Sequence, residues 1–230
     1  MNKLIIDIRE KLNNLSNLKF KQFSSVIVKN KHDMLGVKIP MVRTIAKEIA
    51  KTNAIEFLNN NPMQFYEEVL LQGFVIGYSK ISNDEKFNYL KLFIPKVSDW
   101  SECDSVVSTL KFFQNDLNKT FKFLLSYFNS ENEFEKRFAI VSLMTYFLNG
   151  DYFLKVLKML LSTKSNYYYV DMAVAWAISV CFVKNYNQTL MLFKNCKLSN
   201  FVFNKTIQKC LESFRLANNQ KEELKSLKRK

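Results

Sequence analysis

Along the chain, apolar residues recur at intervals of three and four rather than two, the spacing of one face of an α-helix. The pattern predicts helices over 3–15, 17–28, 40–60 with a break near Thr52, 63–80, 84–97, 99–112, 115–128, 132–148, 151–162, 167–184, 186–196, 201–214 and 219–228. Local signals support several ends: Pro40 suits a first helical turn, Ser82-Asn83-Asp84 an N-terminus, and Asn149-Gly150 a stop. Four Gly and three Pro are too few for the turns of a many-stranded β protein. The fold class is therefore all-α, with helices of about 12 residues joined by short polar links, read as one domain over 1–230.

A spacing suggests how the helices are arranged. Trp100 and Arg137 are 37 residues apart, and Arg137 and Trp176 are 39 apart. Both intervals fall within the ~35 to 47 residues of two-helix repeats such as HEAT. The expectation is an α-α superhelix, a solenoid of HEAT-like helical pairs that lines up Trp100, Arg137 and Trp176 along a concave basic groove. Asp104 lies one turn from Trp100 on the same helical face.

Charge narrows the partner. The 34 Lys and Arg outnumber the 21 Asp and Glu, for a net +13. An AT-rich genome inflates lysine, but it does not readily explain the shortage of acids. From Lys184 to Lys230 eleven bases face only Glu212, Glu222 and Glu223. A polyanion is the implied partner, DNA or RNA before an anionic membrane. No uncharged stretch approaches the ~18 to 20 residues of a membrane span, so a cytoplasmic, monomeric protein is expected. Cys103, Cys181, Cys196 and Cys210 form no CxxC pair, and the single histidine, His32, is far from them in sequence. Neither zinc spacing nor a Cys/His catalytic pair is supported, and buried free thiols are expected.

Each candidate residue has a plain reading beside a chemical one. The two tryptophans could be core packing, or aromatic faces flanking a cationic ligand. Arg137, in "EKRFAIVSLM", could pair with Glu133 on the surface or fork two phosphate oxygens, which lysine does less well. Asp104, in "ECDSVVSTL", could be solvated or could stabilise positive charge on a sugar and activate a water, as carboxylates do in glycosidic cleavage. A cationic base is also its own good leaving group, which points to the N-glycosidic bond of an alkylated purine.

The stretches "DWSECDS" (Asp99 to Ser105), "EKRFAI" (Glu135 to Ile140) and "YYVDMAVAW" (Tyr168 to Trp176), in this order, resemble the HEAT-like-repeat alkylpurine DNA glycosylases, the AlkD family. "MLGVKIPMVRTIAKEIAK" and "NKTIQKCLESFR" extend the likeness across almost the whole chain. The resemblance implies excision of N3- and N7-alkylated purines from duplex DNA without metal or cofactor. It gives Asp104 the sugar cation and the water, Trp100 and Trp176 the lesion nucleotide's sugar and backbone, and Arg137 a phosphate. Lys205, Lys209 and Arg215 join Arg137 as candidate DNA contacts.

The chain departs from the family in two places. Ser16 to Gly36 is too short to supply the extra helix that active members send into the minor groove. Met172 and Ser179 are uncharged where a basic residue is frequent. The competing reading is a non-catalytic HEAT-like-repeat binder of nucleic acid, or a protein scaffold.

Overall fold

A computed structural model of the protein describes residues 2–28 and 31–230. The described residues form α-helices and short 3-10 turns, with no β-strand among them. The all-α expectation is met. The chain packs as two compact units, Met1–Leu117 and Asn118–Lys230.

The first unit holds α1 (Lys3–Asn14), α2 (Leu18–Ile27), α3 (Ile39–Thr52), α4 (Ala54–Asn60), α5 (Tyr66–Tyr78), α6 (Asn83–Phe93) and α7 (Trp100–Val107). α5 is buried on all sides, with only its last two residues less than buried, and α3, α4, α6 and α7 all pack against it. The predicted break near Thr52 is the junction of α3 and α4, and Ser82 caps α6 in a capping box with Glu85. α6 ends earlier than predicted because Pro95 cannot donate to the helical ladder and the chain tightens into a 3-10 turn over Ile94–Lys96. Within Ser16 to Gly36, of which 29 and 30 lie outside the described residues, α2 is the helix formed.

The second unit holds α8 (Leu117–Phe128, beginning at the boundary), α9 (Glu133–Tyr146), α10 (Tyr152–Leu161), α11 (Tyr168–Lys184), α12 (Tyr186–Phe193), α13 (Asn200–Glu212) and α14 (Asn218–Ser226). α11 is sandwiched between α9 and α13, while α10 packs on α12 and both touch α11. In the first unit, α3, α5 and α7 likewise lie side by side, with α4 and α6 on α5. Alternate helices thus form one layer within each unit. The first of these layer helices begins at residue 39, 27 residues before the next, and from α5 on they begin at residues 66, 100, 133, 168 and 200, at intervals of 32 to 35 residues.

Those intervals are shorter than the Trp–Arg–Trp spacing, and the register corrects it. Trp100 is the first residue of α7, Arg137 the fifth of α9 and Trp176 the ninth of α11. They are not equivalent positions but advance one helical turn per repeat. Four residues rotate a helix by about 400°, so each step keeps nearly the same face of its own helix.

Candidate functional site

In the first unit the candidate chemistry sits on α7, an eight-residue helix too short to be stable alone. Its position is set from outside. Asp99 is the N-cap, accepting hydrogen bonds from the Ser101 and Glu102 N–H groups. Burial pushes its carboxyl up to about 6, and its second oxygen, Oδ2, is buried with no partner in the protein. Glu102, wholly buried, accepts from the Ser98 N–H at 2.7 Å and lies 3.2 Å from His32 Nδ1. At the other end, Arg43 of α3 donates to the Ser105 carbonyl at 2.9 Å and to Ser108 Oγ at 3.0 Å, a cation where the helix carries partial negative charge.

From this frame Trp100 and Asp104 project one turn apart, both half-buried. Neither is sunk in the core. Trp100 lines a hollow of about 170 Å³ with Phe20, Ile27, Tyr66 and Ser101, and its Nε1 lies 3.5 Å from the Ile27 carbonyl. Tyr66 and Ser101 share a short hydrogen bond on the floor of this hollow, and desolvation pushes the Tyr66 phenol upward. The loop after α2 is tied down by Glu67, whose buried carboxylate accepts the Leu35, Gly36 and Val37 N–H groups at 2.8 to 3.0 Å. Gly36 adopts φ +94°, which favours glycine, and its amide lies among those that Glu67 collects.

In the second unit Arg137 is buried, only 6% exposed. Its Nη1 donates to the Tyr169 carbonyl at 2.7 Å, and the Tyr169 N–H donates to Glu133 Oε1 at 2.7 Å. This exchange joins the first turns of α9 and α11. Asp171 beside it has its carboxyl pushed up to about 6, by burial first and by Glu133 second. Trp176 is 36% exposed and lines a depression of about 230 Å³ with Lys209, Glu212, Ser213 and Arg215. Three of the candidates, Trp176, Lys209 and Arg215, therefore meet around one depression. Lys205 lies one turn before Lys209 and donates to Gln208 Oε1 at 2.9 Å. Ser179, at one of the uncharged departures, is buried in the same wall and donates to the Trp176 carbonyl at 2.7 Å.

Several residues of these neighbourhoods were not singled out in the sequence. Asp99 had a usable signal, an acid directly before a helix. Lys47 and Lys51, one turn apart in "AKEIAK", join Tyr78 and Lys80 around a hollow of about 570 Å³, so the basic surface is not confined to the C-terminal stretch. Tyr66, Glu67 and Arg43 gave no signal, because their partners lie 30 or more residues away, and neither did Glu102, which joins nearby Ser98 to the distant His32. Cys103, Cys181 and Cys210 are buried free thiols as expected, whereas Cys196 is half-buried. Among the described residues no helix is long and apolar enough to cross a membrane, and no three His, Cys, Asp or Glu side chains are grouped as metal ligands.

A search of curated proteins finds no match. The sequence profile of the DNA alkylation repair enzymes matches residues 8–189, most of the chain and parts of both units, and stops before α13. The candidates on α7, α9 and α11 lie inside the matched stretch, and the chain belongs to the DNA alkylation repair enzyme family.

Proposed function

We propose that the protein is a DNA glycosylase that hydrolyses the N-glycosidic bond of cationic N3- and N7-alkylated purines in duplex DNA. The observation that carries this reading is the placement of Trp100 and Asp104, one turn apart and half-buried on a helix fixed at both ends, in a member of a DNA alkylation repair family. The bond from C1′ to the base nitrogen breaks, its electron pair neutralises the departing base, and the sugar takes up the positive charge. Asp104 stabilises that charge and orients the water. The water oxygen bonds to C1′ and loses a proton, leaving an abasic sugar and a free base. An indole face next to a cationic base adds ~0.5 to 2 kcal/mol of cation-π attraction, the part given to Trp100 and Trp176. Arg137, Lys205, Lys209 and Arg215 are assigned to backbone phosphates, and a repair protein acting on DNA in this way is expected in the cytoplasm. The alternating helix layers and the 32 to 35 residue intervals support reading 1–230 as HEAT-like pairs. The test is release of 7-methylguanine or 3-methyladenine from methylated DNA. Wild type should release base and Asp104→Asn should not; no release by wild type over hours removes the reading.

One observation favours a second reading, a non-catalytic nucleic-acid binder. Arg137 is buried and one arm of its guanidinium is committed to the Tyr169 carbonyl, which suits a structural role. This reading expects affinity that falls by roughly one log unit per log of salt for each phosphate contacted, with no base release.

A further inference from the structure

Phe214 is fully exposed, its ring wholly in water, although most of its aromatic neighbours in the second unit are packed. It is not on a fraying end. The Ser213 N–H donates to the Cys210 carbonyl, the Arg215 N–H donates to Ser213 Oγ at 3.2 Å, and both Cys210 and Leu216 are buried. The turn between α13 and α14 is thus anchored on both sides and holds the ring outward.

What surrounds the ring gives it a use. Ser213 and Arg215, its two chain neighbours, both line the depression that contains Trp176 and Lys209. Along α13 the exposed Phe201 and the half-buried Lys205 and Lys209 follow one another at intervals of four, and Phe201 lies 6.1 Å from Tyr168 of α11, eight residues before Trp176. The α11–α13 face therefore sets the rings of Tyr168, Phe201 and Trp176 beside the cations Lys205 and Lys209, and Phe214 and Arg215 follow at its end. Its one carboxylate at the depression, Glu212, accepts from Gln208 Nε2 at 2.9 Å. Cations track a phosphate backbone, and an aromatic ring held out beside them offers a stacking surface for a base, whichever base it is.

We infer that Phe214 stacks on an unpaired or displaced base of a DNA strand whose flanking phosphates are held by Lys209 and Arg215, so that this face recognises disrupted rather than intact duplex. The inference rests on the proposal that DNA is the ligand, not on the hydrolysis. It also lies beyond the stretch matched by the family profile, which ends at residue 189.

The test uses the full chain and two short duplexes, one carrying the fluorescent base 2-aminopurine in a single-nucleotide bulge, the other carrying it paired with thymine. Wild type should bind the bulge more tightly and quench its fluorescence. Phe214→Ala should lose about tenfold in affinity for the bulge, since base stacking on an aromatic is worth that much, while affinity for the paired duplex stays within about twofold. Phe214→Tyr should restore it. Because the ring touches solvent alone, truncation leaves the fold intact, which circular dichroism checks. Equal losses on both duplexes, or none on either, overturn the inference, as does a Phe214→Ala defect confined to binding of anionic phospholipid vesicles. Base release is measured on the same preparations. If wild type binds the bulge through Phe214 but releases nothing, the glycosylase reading fails and this one stands; release that continues with unchanged bulge affinity in Phe214→Ala leaves the reverse.

Discussion

Replacing Gly73 by alanine tests whether α7 is held where its chemistry needs it by the closeness of α5. A Cβ on Gly73 would lie 2.3 Å and 2.6 Å from the two Val106 methyls and 3.0 Å from Phe93 Cζ. Carbon atoms prefer ~3.5 to 4.0 Å, so the overlap with Val106 exceeds roughly 1 Å. Val106 is wholly buried and β-branched within a helix, so it cannot rotate away. α7 must move. Overpacking costs ~1 to 3 kcal/mol, and an overlap this large belongs in the upper part of that range, ~2 to 3 kcal/mol; the ~1 kcal/mol that alanine gains over glycine in a helix offsets part of it, for a net loss of about 1 to 2 kcal/mol. The assay is urea unfolding in a Trp176→Phe background, where Trp100 is the remaining indole and reports the first unit. Val106→Ala alone should cost roughly 2 kcal/mol through its cavity. The double variant should cost less than the sum, because the new methyl fills the space that Val106 vacates. A shift of about 1 Å at a catalytic group can lower a rate by ~100-fold, so Gly73→Ala should depress base release while the protein remains folded, and Val106→Ala should partly restore it. An alanine at 73 that leaves stability unchanged or raised, or strict additivity of the pair, refutes the reasoning.

Three further outcomes follow from buried groups. Asp99 has its carboxyl raised to about 6 against 3.8, so the native state holds a proton that the unfolded chain has lost, and stability falls as pH rises from about 4 to 6. The loss is of the order of 2 to 3 kcal/mol; Asp99→Asn keeps the cap and should flatten that slope in urea titrations, whereas an unchanged slope would assign it elsewhere. Arg137→Lys should cost about 1 to 3 kcal/mol of stability, since an ammonium does not reproduce the guanidinium's bond to the Tyr169 carbonyl; a loss confined to DNA affinity would instead mark the phosphate role. In native protein an aromatic disulfide reagent should titrate Cys196 well before Cys103, Cys181 and Cys210, because the latter are buried and burial pushes the thiols of Cys181 and Cys210 up to about 12; several thiols reacting together would count against the packing.

The helices were legible because their signals are local. The break near Thr52, the cap at Ser82 and Pro40 in the first turn of α3 depend on residues within a turn of one another. What the sequence did not show depends on contacts between distant segments. α7 stops at Val107, short of the predicted 112, and Thr109 beyond it sits where a Cβ on Gly77 would come within 2.4 Å of its Oγ1. Arg137 sits at a boundary between charged and apolar residues, and only the packing of α9 on α11 decides that it is inside. The 37 and 39 residue spacings mixed an interval of 32 to 35 residues between helix starts with a step of one turn. Phe214 is one of 21 phenylalanines, and nothing in its flanks separates it from those in the core.

The burial of acids bears on why a basic chain keeps Asp104 half-exposed. In the first unit Glu67, Glu68, Asp99 and Glu102 are all essentially buried, at 0 to 1% exposure. Each is used inside: Glu67 collects three backbone N–H groups, Glu68 binds Arg9 at 2.6 Å, Asp99 caps α7, and Glu102 holds Ser98 and His32. Withdrawing these acids leaves fewer carboxylates among the surface cations that a polyanion meets first, while the net charge stays +13. The same withdrawal fixes α7 through Asp99, the residue before Trp100, and Glu102, which lies two residues from both Trp100 and Asp104. Asp104 is a half-buried carboxylate on a helix that other carboxylates hold in place. On the proposed glycosylase reading, preorganised charge of this kind would stabilise a developing cation without reorganising, and lysines would meet the backbone phosphates that repel it.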